Sequence, residues 1–239
     1  MEYKHIVPGI FISRPNRFIA KVEIEGKEET VHVKNTGRCR ELLIPGTAVY
    51  LEKSDNPQRK TLYDLVAVQK GERLVNMDSQ IPNAAAQEWI LSGAFKKHVT
   101  YLKREVTYGN SRFDLYVEYK ERNRLHKAFV EVKGVTLEDH DVVRFPDAPT
   151  LRGIKHIHEL MECGQDGYEA YLLFVIQMKN VTYFEPDSAI HADFAQALKE
   201  AHEAGVHILA YDCKVTPDTM TLEDPVEVRI DGVPIVSKK

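Results

Sequence analysis

Between residues 77 and 83 this 239-residue chain changes its pattern, and that change limits the available folds more than any other feature. Up to about Met77 it reads as short strands broken by turns. Residues 6–12, 18–24, 30–33, 48–53, 62–69 and 74–75 are rich in β-branched and aromatic side chains, which suit a pleated, half-buried surface. Turn formers separate them: Pro15-Asn16, Glu25-Gly26, Asn35-Thr36-Gly37, Pro45-Gly46, Asp55-Asn56-Pro57 and Lys70-Gly71. So many short strands with no helical period predict a small β-barrel over residues 1–80. An OB-like barrel is the natural candidate, and an SH3-like barrel has nearly the same pattern.

From Asn83 helices and strands alternate. Asn83 is placed to cap a helix through Ala84 to Leu91 and on to Phe95 or Lys97. Three strand-like runs follow, at 99–108, 112–119 and 127–135, the first two joined by Gly109-Asn110 as in a hairpin. A polar, turn-rich stretch spans 136–149. Leu151, Ile154, Ile157 or His158, and Met161 then recur at helical spacing behind Thr150, a good cap. Residues 168–178 form a long apolar strand suited to the centre of a sheet. Beyond it lie a strand at 181–184, a helix at 192–204 ending before Gly205, and a strand at 206–211. The order αβββαβ, then βαβ, predicts a separate α/β domain over residues 81–239.

Composition removes several classes. Hydrophobic residues at 43% and charged residues at 28% describe an ordinary globular chain. No apolar run approaches the roughly 20 residues of a membrane helix, and Met1-Glu2-Tyr3-Lys4-His5 lacks the plan of a signal peptide. Cys39, Cys163 and Cys213 are widely spaced, with no CxxC pair. That fits idle thiols in a reducing cytoplasm, with no disulfide framework or zinc ribbon. The net charge of −4 is unevenly spread, at +2 over residues 1–80 and −6 beyond. Lys34, Arg38 and Arg40 cluster with no acid between them, and local potential of this kind is what a phosphate backbone responds to.

The chemistry-bearing residues lie in the second domain. Asp114 sits mid-strand between Phe113 and Leu115, where carboxylates are depleted. Glu131 and Lys133, two apart on the next strand, share one face while Val130 and Val132 share the other. With Asp114 opposite, two carboxylates converge beside an ammonium. Such a pair suits Mg²⁺ or Mn²⁺, hard ions that prefer oxygen ligands. Lys133 is suited to orient a water or steady a developing phosphorane charge. Glu88, on the preceding helix, can add a third carboxylate. Taken alone, Glu-x-Lys is most often a solvated charge pair; its setting in an αβββαβ run favours a site.

At these residues the sequence resembles the PD-(D/E)xK nuclease superfamily, whose core has the same αβββαβ order. Over residues 1–230 it resembles more closely the sugar fermentation stimulation protein A family. The matching segments are His32-Val33-Lys34-Asn35-Thr36-Gly37, Asp114 after Arg112-Phe113, and Glu131-Val132-Lys133-Gly134-Val135-Thr136-Leu137. The most specific runs from Phe145-Pro146-Asp147 through Thr150-Leu151-Arg152-Gly153-Ile154-Lys155-His156 to Glu159-Leu160. The resemblance implies an OB-like barrel, a restriction-endonuclease-like second domain, binding of DNA or RNA, and a link to sugar-utilisation genes. It puts the nuclease acids on Asp114 and Glu131, the lysine on Lys133 and the helix glutamate on Glu88. One departure is Phe113 where the motif has proline; the literal Pro146-Asp147 lies after Glu131.

The expected metal ligands are therefore Asp114, Glu131, the Val132 carbonyl and Glu88. Expected nucleic-acid contacts are Lys34, Asn35, Thr36, Arg38 and Arg40 on the barrel, and Arg152, Lys155 and His156 at a helix N-terminus. Of Phe11, Phe18, Tyr50 and Tyr63, any left exposed can stack a base. Glu138-Asp139-His140-Asp141 is metal-like in composition and reads more safely as a solvated loop. Two functions fit: a Mg²⁺- or Mn²⁺-dependent nuclease, or a non-catalytic DNA-binding regulator on a nuclease-like scaffold.

Overall fold

The computed structural model describes residues 1–235; the last four residues of the expected second domain lie outside them. The barrel strands are β1 (Ile6–Asn16), β2 (Ile19–Ile24), β3 (Lys27–Val33), β4 (Ala48–Lys53), β5 (Tyr63–Lys70) and β6 (Arg73–Asn76). β1 pairs antiparallel with β2 and β4, β2 with β3, and β4 with β5. A parallel β3–β5 contact at His32↔Asp64 and Val33↔Leu65 closes a five-stranded OB barrel. Alternate residues fill it, among them Phe11, Val22, Val31, Val49, Leu51 and Leu65, none more than 2% exposed.

The second domain contains α1 (Ile81–Leu91), β7 (Val99–Tyr108), β8 (Ser111–Glu121), β9 (Arg124–Val135), β10 (Leu137–Asp139), β11 (Val142–Phe145) and α2 (Leu151–Gln165). It continues with β12 (Glu169–Ile176), β13 (Tyr183–Pro186), α3 (Ala192–Glu203), β14 (His207–Val215), β15 (Met220–Pro225), β16 (Glu227–Ile230) and β17 (Val233–Ile235). The main sheet has the order β15-β14-β12-β9-β8-β7, with β9, β12 and β14 parallel. β12 sits centrally and is apolar on both faces, as its sequence predicts. One face packs on α1 through Trp89, Ile90, Val130, Val132 and Leu173. The other packs on α2 and α3 through Phe129, Ile157, Leu160, Phe174 and Phe194.

Four expectations are corrected. α1 starts at Ile81 behind Gln80, with Pro82 in its first turn, so Asn83 lies inside the helix and does not cap it; proline's fixed φ favours that start. The stretch 136–149 carries β10 and β11, the edge strand and its neighbour in a small second sheet completed by β13, β16 and β17. On α2, where Thr150 does cap by accepting from Gly153 N–H at 3.0 Å, Leu151 is 80% exposed while His156 and Glu159 are buried. Part of that helix's polar side, His156 and Glu159, is thus turned inward beside Ile157 and Leu160, while Arg152 and Lys155 stay exposed. Glu138 is not a solvated loop residue: it is 5% exposed and ion-paired to Lys70 at 2.6 Å and Arg73 at 3.1 Å of the barrel. Cys39, Cys163 and Cys213 are all free and buried. Among the described residues no helix is long and apolar enough to cross a membrane.

Candidate functional site

The ladder between β8 and β9 runs from Glu121↔Arg124 to Leu115↔Val130 and stops there. The next positions are Asp114 and Glu131. β8 changes faces here: Phe113 packs on the α2 side and Leu115 on the α1 side. β9 continues without β8, held by β12 through Glu131↔Leu172 to Val135↔Ile176. The two strands therefore part where the carboxylates stand, leaving a gap lined by polar groups.

Asp114 fills the gap with its side chain. Its Oδ2 accepts from Val132 N–H at 2.8 Å and its Oδ1 from the Asn83 amide at 2.7 Å. The N–H and C=O of one strand residue point the same way, so the Val132 carbonyl also faces the gap. Glu131, 2% exposed, directs Oε1 to Lys133 Nζ at 2.5 Å and to His156 Nδ1. His156 in turn lies 3.4 Å from Arg152 Nε through its other ring nitrogen. Glu131 Oε2 and Glu159 Oε2 are buried with no hydrogen-bond partner. A buried charged acceptor left unmade is costly, so the Glu131 oxygen is suited to a donor or a cation.

The two carboxylates are pushed in opposite directions. Burial raises Asp114 above the usual carboxylate range, and the Glu131 charge adds to this, against the Val132 N–H, Lys133 and Asn83. Burial also acts to raise Glu131, but His156 and Lys133 outweigh it and hold that carboxyl below its ordinary value. Acids split in this way by their surroundings are a mark of chemical sites.

The other expected residues scatter. Glu88 points away from the gap: its carboxylate, 56% exposed, pairs with the N-terminal amine of Met1. Asn83, five residues earlier and so on another side of the helix, is the α1 residue that reaches the site. His156 is 7% exposed and spent on Glu131, so it is no surface phosphate contact. Arg152 and Lys155 are exposed, with Lys155 Nζ 3.2 Å from the Asn110 carbonyl. Lys34 is surrounded by Glu52, Asp64 and Asp78 at 3.3–3.6 Å. Those acids outweigh burial, raise its pKa and leave little charge for a phosphate. Asn35 braces its own turn, accepting from Gly37 N–H at 2.7 Å and donating to the Met77 carbonyl at 2.9 Å. Thr36, Arg38 and Arg40 are exposed. Asp147 approaches this turn; a Cβ on Gly37 would lie 2.6 Å from its Oδ2.

The sequence reading missed Asn83 and His156 as partners of the acids, and Arg14 and Arg17 beside Arg38 and Arg40. A cleft of about 180 Å³ lies between the domains, lined by Asn35, Gly37, Ser79, Gly134, Thr136 and Asp147 among others. It borders the site at Gly134, next to Lys133.

The Pyrococcus furiosus SfsA protein, solved in complex with Ca²⁺, superposes with a TM-score of 0.85 at 30% identity, covering 96% of this chain and 98% of that one. The sugar fermentation stimulation protein homolog of Ruminiclostridium cellulolyticum is 57% identical over 230 residues, 96% of this chain and 100% of that protein. The Clostridium beijerinckii homolog is 55% identical over 228 residues, 95% and 99% of the two chains. The SfsA N-terminal OB domain matches residues 12–77, and the sugar fermentation stimulation protein RE domain matches residues 80–219. Matched in both domains and along nearly its whole length, this chain belongs to the sugar fermentation stimulation protein family.

Proposed function

We propose that this protein binds nucleic acid and hydrolyses phosphodiester bonds at Asp114, Glu131 and Lys133 with the help of Mg²⁺ or Mn²⁺. The observation that carries this reading is the end of the β8–β9 ladder at Leu115↔Val130, which leaves both carboxylates and the lysine in one gap. The donor set fits a hard dication. It offers Asp114, the unpartnered Glu131 Oε2 and the Val132 carbonyl, all oxygen, and Mg²⁺ keeps several waters beside one or two carboxylates. Among the described residues no group of three or more His, Cys, Asp or Glu side chains is placed to hold a metal ion, so this reading rests on two carboxylates and a carbonyl. That the Pyrococcus furiosus relative was solved with Ca²⁺ supports an oxygen-ligated dication. When bound, the ion would supply Lewis-acid polarisation of the phosphate.

The chain's own groups supply the rest. Lys133, half-buried beside Glu131, holds the attacking water in line and offsets charge building on the phosphorane oxygens. Asn83 and the Val132 amide fix the Asp114 rotamer. His156 fixes Glu131 from the α2 side through Oε1 and leaves Oε2 without a hydrogen-bond partner.

Incubation with plasmid, single-stranded DNA and RNA in Mg²⁺, Mn²⁺ or EDTA tests the proposal. Cutting should need the metal and vanish in Asp114→Ala and Lys133→Ala; cutting that survives both substitutions overturns it. The second reading is a non-catalytic DNA-binding regulator of sugar-utilisation genes. It is favoured by the relatives' names and by the separation of Glu88 from the site, and binding without turnover in either metal would select it.

A further inference from the structure

The turn between β1 and β2 and the loop after β3 meet at a cavity of about 330 Å³ whose lining includes Arg14, Arg17, Arg38, Arg40, Asn16 and Leu43. No carboxylate lines it. Arg14 builds it. One guanidinium nitrogen donates to the Gly37 and Arg38 carbonyls at 2.8 and 2.7 Å, and the other to the Arg17 and Asn35 carbonyls at 2.8 and 2.6 Å. That strut ties the hairpin turn to the loop and sets Arg17 beside Arg38. Cys39, buried and at a φ of 45°, anchors the loop between the exposed Arg38 and Arg40. Among the described residues the Arg17, Arg38 and Arg40 guanidiniums have no hydrogen bond or ion pair, unlike Lys34 nearby with its three acids. Guanidiniums that converge with no direct ion pair, the nearest acids Glu41 and Asp147 standing to the side of the loop at Cys39, form a seat for an anion, and guanidiniums match phosphate geometry.

A second observation names the anion's carrier. Phe18 follows Arg17 at the tip of the same turn and is 54% exposed, whereas Phe11 is 2% exposed and belongs to the core. An exposed aromatic residue next in sequence to an arginine of the seat suits a nucleotide unit, with base on ring and phosphate on arginine. The cavity shares Thr36 and Gly37 with the interdomain cleft that leads to Gly134.

We propose that Arg17, Arg38 and Arg40 with Phe18 form a nucleotide seat for single-stranded nucleic acid on the barrel, from which the strand enters the interdomain cleft. This rests on the nucleic-acid reading above and adds the strand type and the residues that hold it.

The test is fluorescence anisotropy of a labelled twelve-residue oligo-dT with the full chain in EDTA, titrated against KCl. Arg38→Ala/Arg40→Ala should weaken binding at least about tenfold and flatten the log–log salt slope by about 1.4, since each single-strand phosphate contact contributes about 0.7. Phe18→Ala should weaken binding about 5-fold or more with the slope unchanged, as expected for a lost stack. Lys27→Ala, at the start of β3 and at the opposite end of β2 from the seat, should change it less than about twofold. Duplex of the same length should bind more weakly and ignore Phe18→Ala. Thermal melts certify folding, and Arg38→Gln/Arg40→Gln replaces any variant that fails to fold.

Wild-type affinity and slope in the double variant would overturn the seat while leaving the nucleic-acid reading intact. Absence of oligo-dT binding by the wild type would overturn the seat, and absence of binding to the duplex as well would overturn the nucleic-acid reading. Pyrophosphate, tested in parallel by calorimetry, separates the remaining source: binding of pyrophosphate alone, lost in the double variant, would assign the arginines to a free phosphate compound and overturn the strand seat.

Discussion

The amide of Val132 donates to Asp114 Oδ2 at 2.8 Å, so a side chain occupies the ladder position that the β8 backbone has left. This bond aims Asp114 across the gap at the strand carrying Glu131 and Lys133. Asp114→Asn keeps an oxygen for Val132 and loses the charge. It should lower metal-dependent cutting by about 100-fold or more and leave the melting temperature near that of the wild type. Single-turnover cleavage of an end-labelled oligonucleotide in Mn²⁺ measures the first, and calorimetry the second. Undiminished cutting would remove Asp114 from the reaction.

His156 acts through Glu131. Outer partners that orient a metal-binding carboxylate commonly govern about 10–100-fold in metal affinity. His156→Ala should therefore weaken Mn²⁺ binding by that factor, while His156→Gln, which can still donate to Glu131 Oε1, recovers part of it. Isothermal calorimetry with Mn²⁺ alone reads both variants. A purely structural role would lower stability in both and leave the affinity of the folded fraction unchanged.

The strand pattern and turn residues made the barrel and the αβββαβ order readable, because both depend on local periodicity. Glu131 and Lys133 share a face by strand alternation, which is readable in sequence; the end of the β8–β9 ladder just before Asp114 and Glu131 is not. What stayed hidden depends on helix rotation and long-range pairing. Glu88 looked suitable on composition, yet α1 starts at Ile81 and turns Asn83 to the gap and Glu88 to Met1. His156 read as a phosphate contact because a buried polar position has the same helical period as an exposed one. Arg14 and Arg17 join Arg38 and Arg40 only once β1, β2 and β3 have paired.

The barrel is fastened to the second domain partly by Glu138, which accepts from Lys70 Nζ at 2.6 Å and from Asp141 N–H at 2.6 Å, with Arg73 at 3.1 Å. Burial acts to raise its pKa, but Lys70, the Asp141 amide and Arg73 outweigh it and hold the folded value below the ordinary one. A depressed folded pKa contributes stability above the unfolded value, near pH 4.5, and loses it as pH falls through the folded value. Glu138→Gln should thus cost about 2 kcal/mol at pH 7, about 4–8 °C in melting temperature. The gap between variant and wild type should narrow as pH falls below the ordinary glutamate value. Melting curves from pH 3 to 8 test this, and a gap constant with pH would deny Glu138 the role.

Gly134 sits where three parts of the molecule press together. A Cβ there would lie 2.5 Å from Gln177 Oε1 and 2.7 Å from Pro82 Cγ. Gln177, 1% exposed, cannot easily yield, because its amide nitrogen donates to the Asn76 and Asp78 carbonyls at 3.0 and 3.1 Å at the barrel's exit. Pro82 can yield only by moving the first turn of α1, and with it Asn83 and its 2.7 Å bond to Asp114. Gly134→Ala should therefore destabilise the protein by about 1–3 kcal/mol, the usual cost of overpacking. It should also lower the cutting rate beyond what the lost folded fraction explains. Urea unfolding with an unchanged m-value gives the first quantity, and turnover per folded molecule in Mn²⁺ gives the second. Full turnover in a destabilised variant would mean that Gln177 gives way and α1 holds, which separates the domain joint from the carboxylate gap.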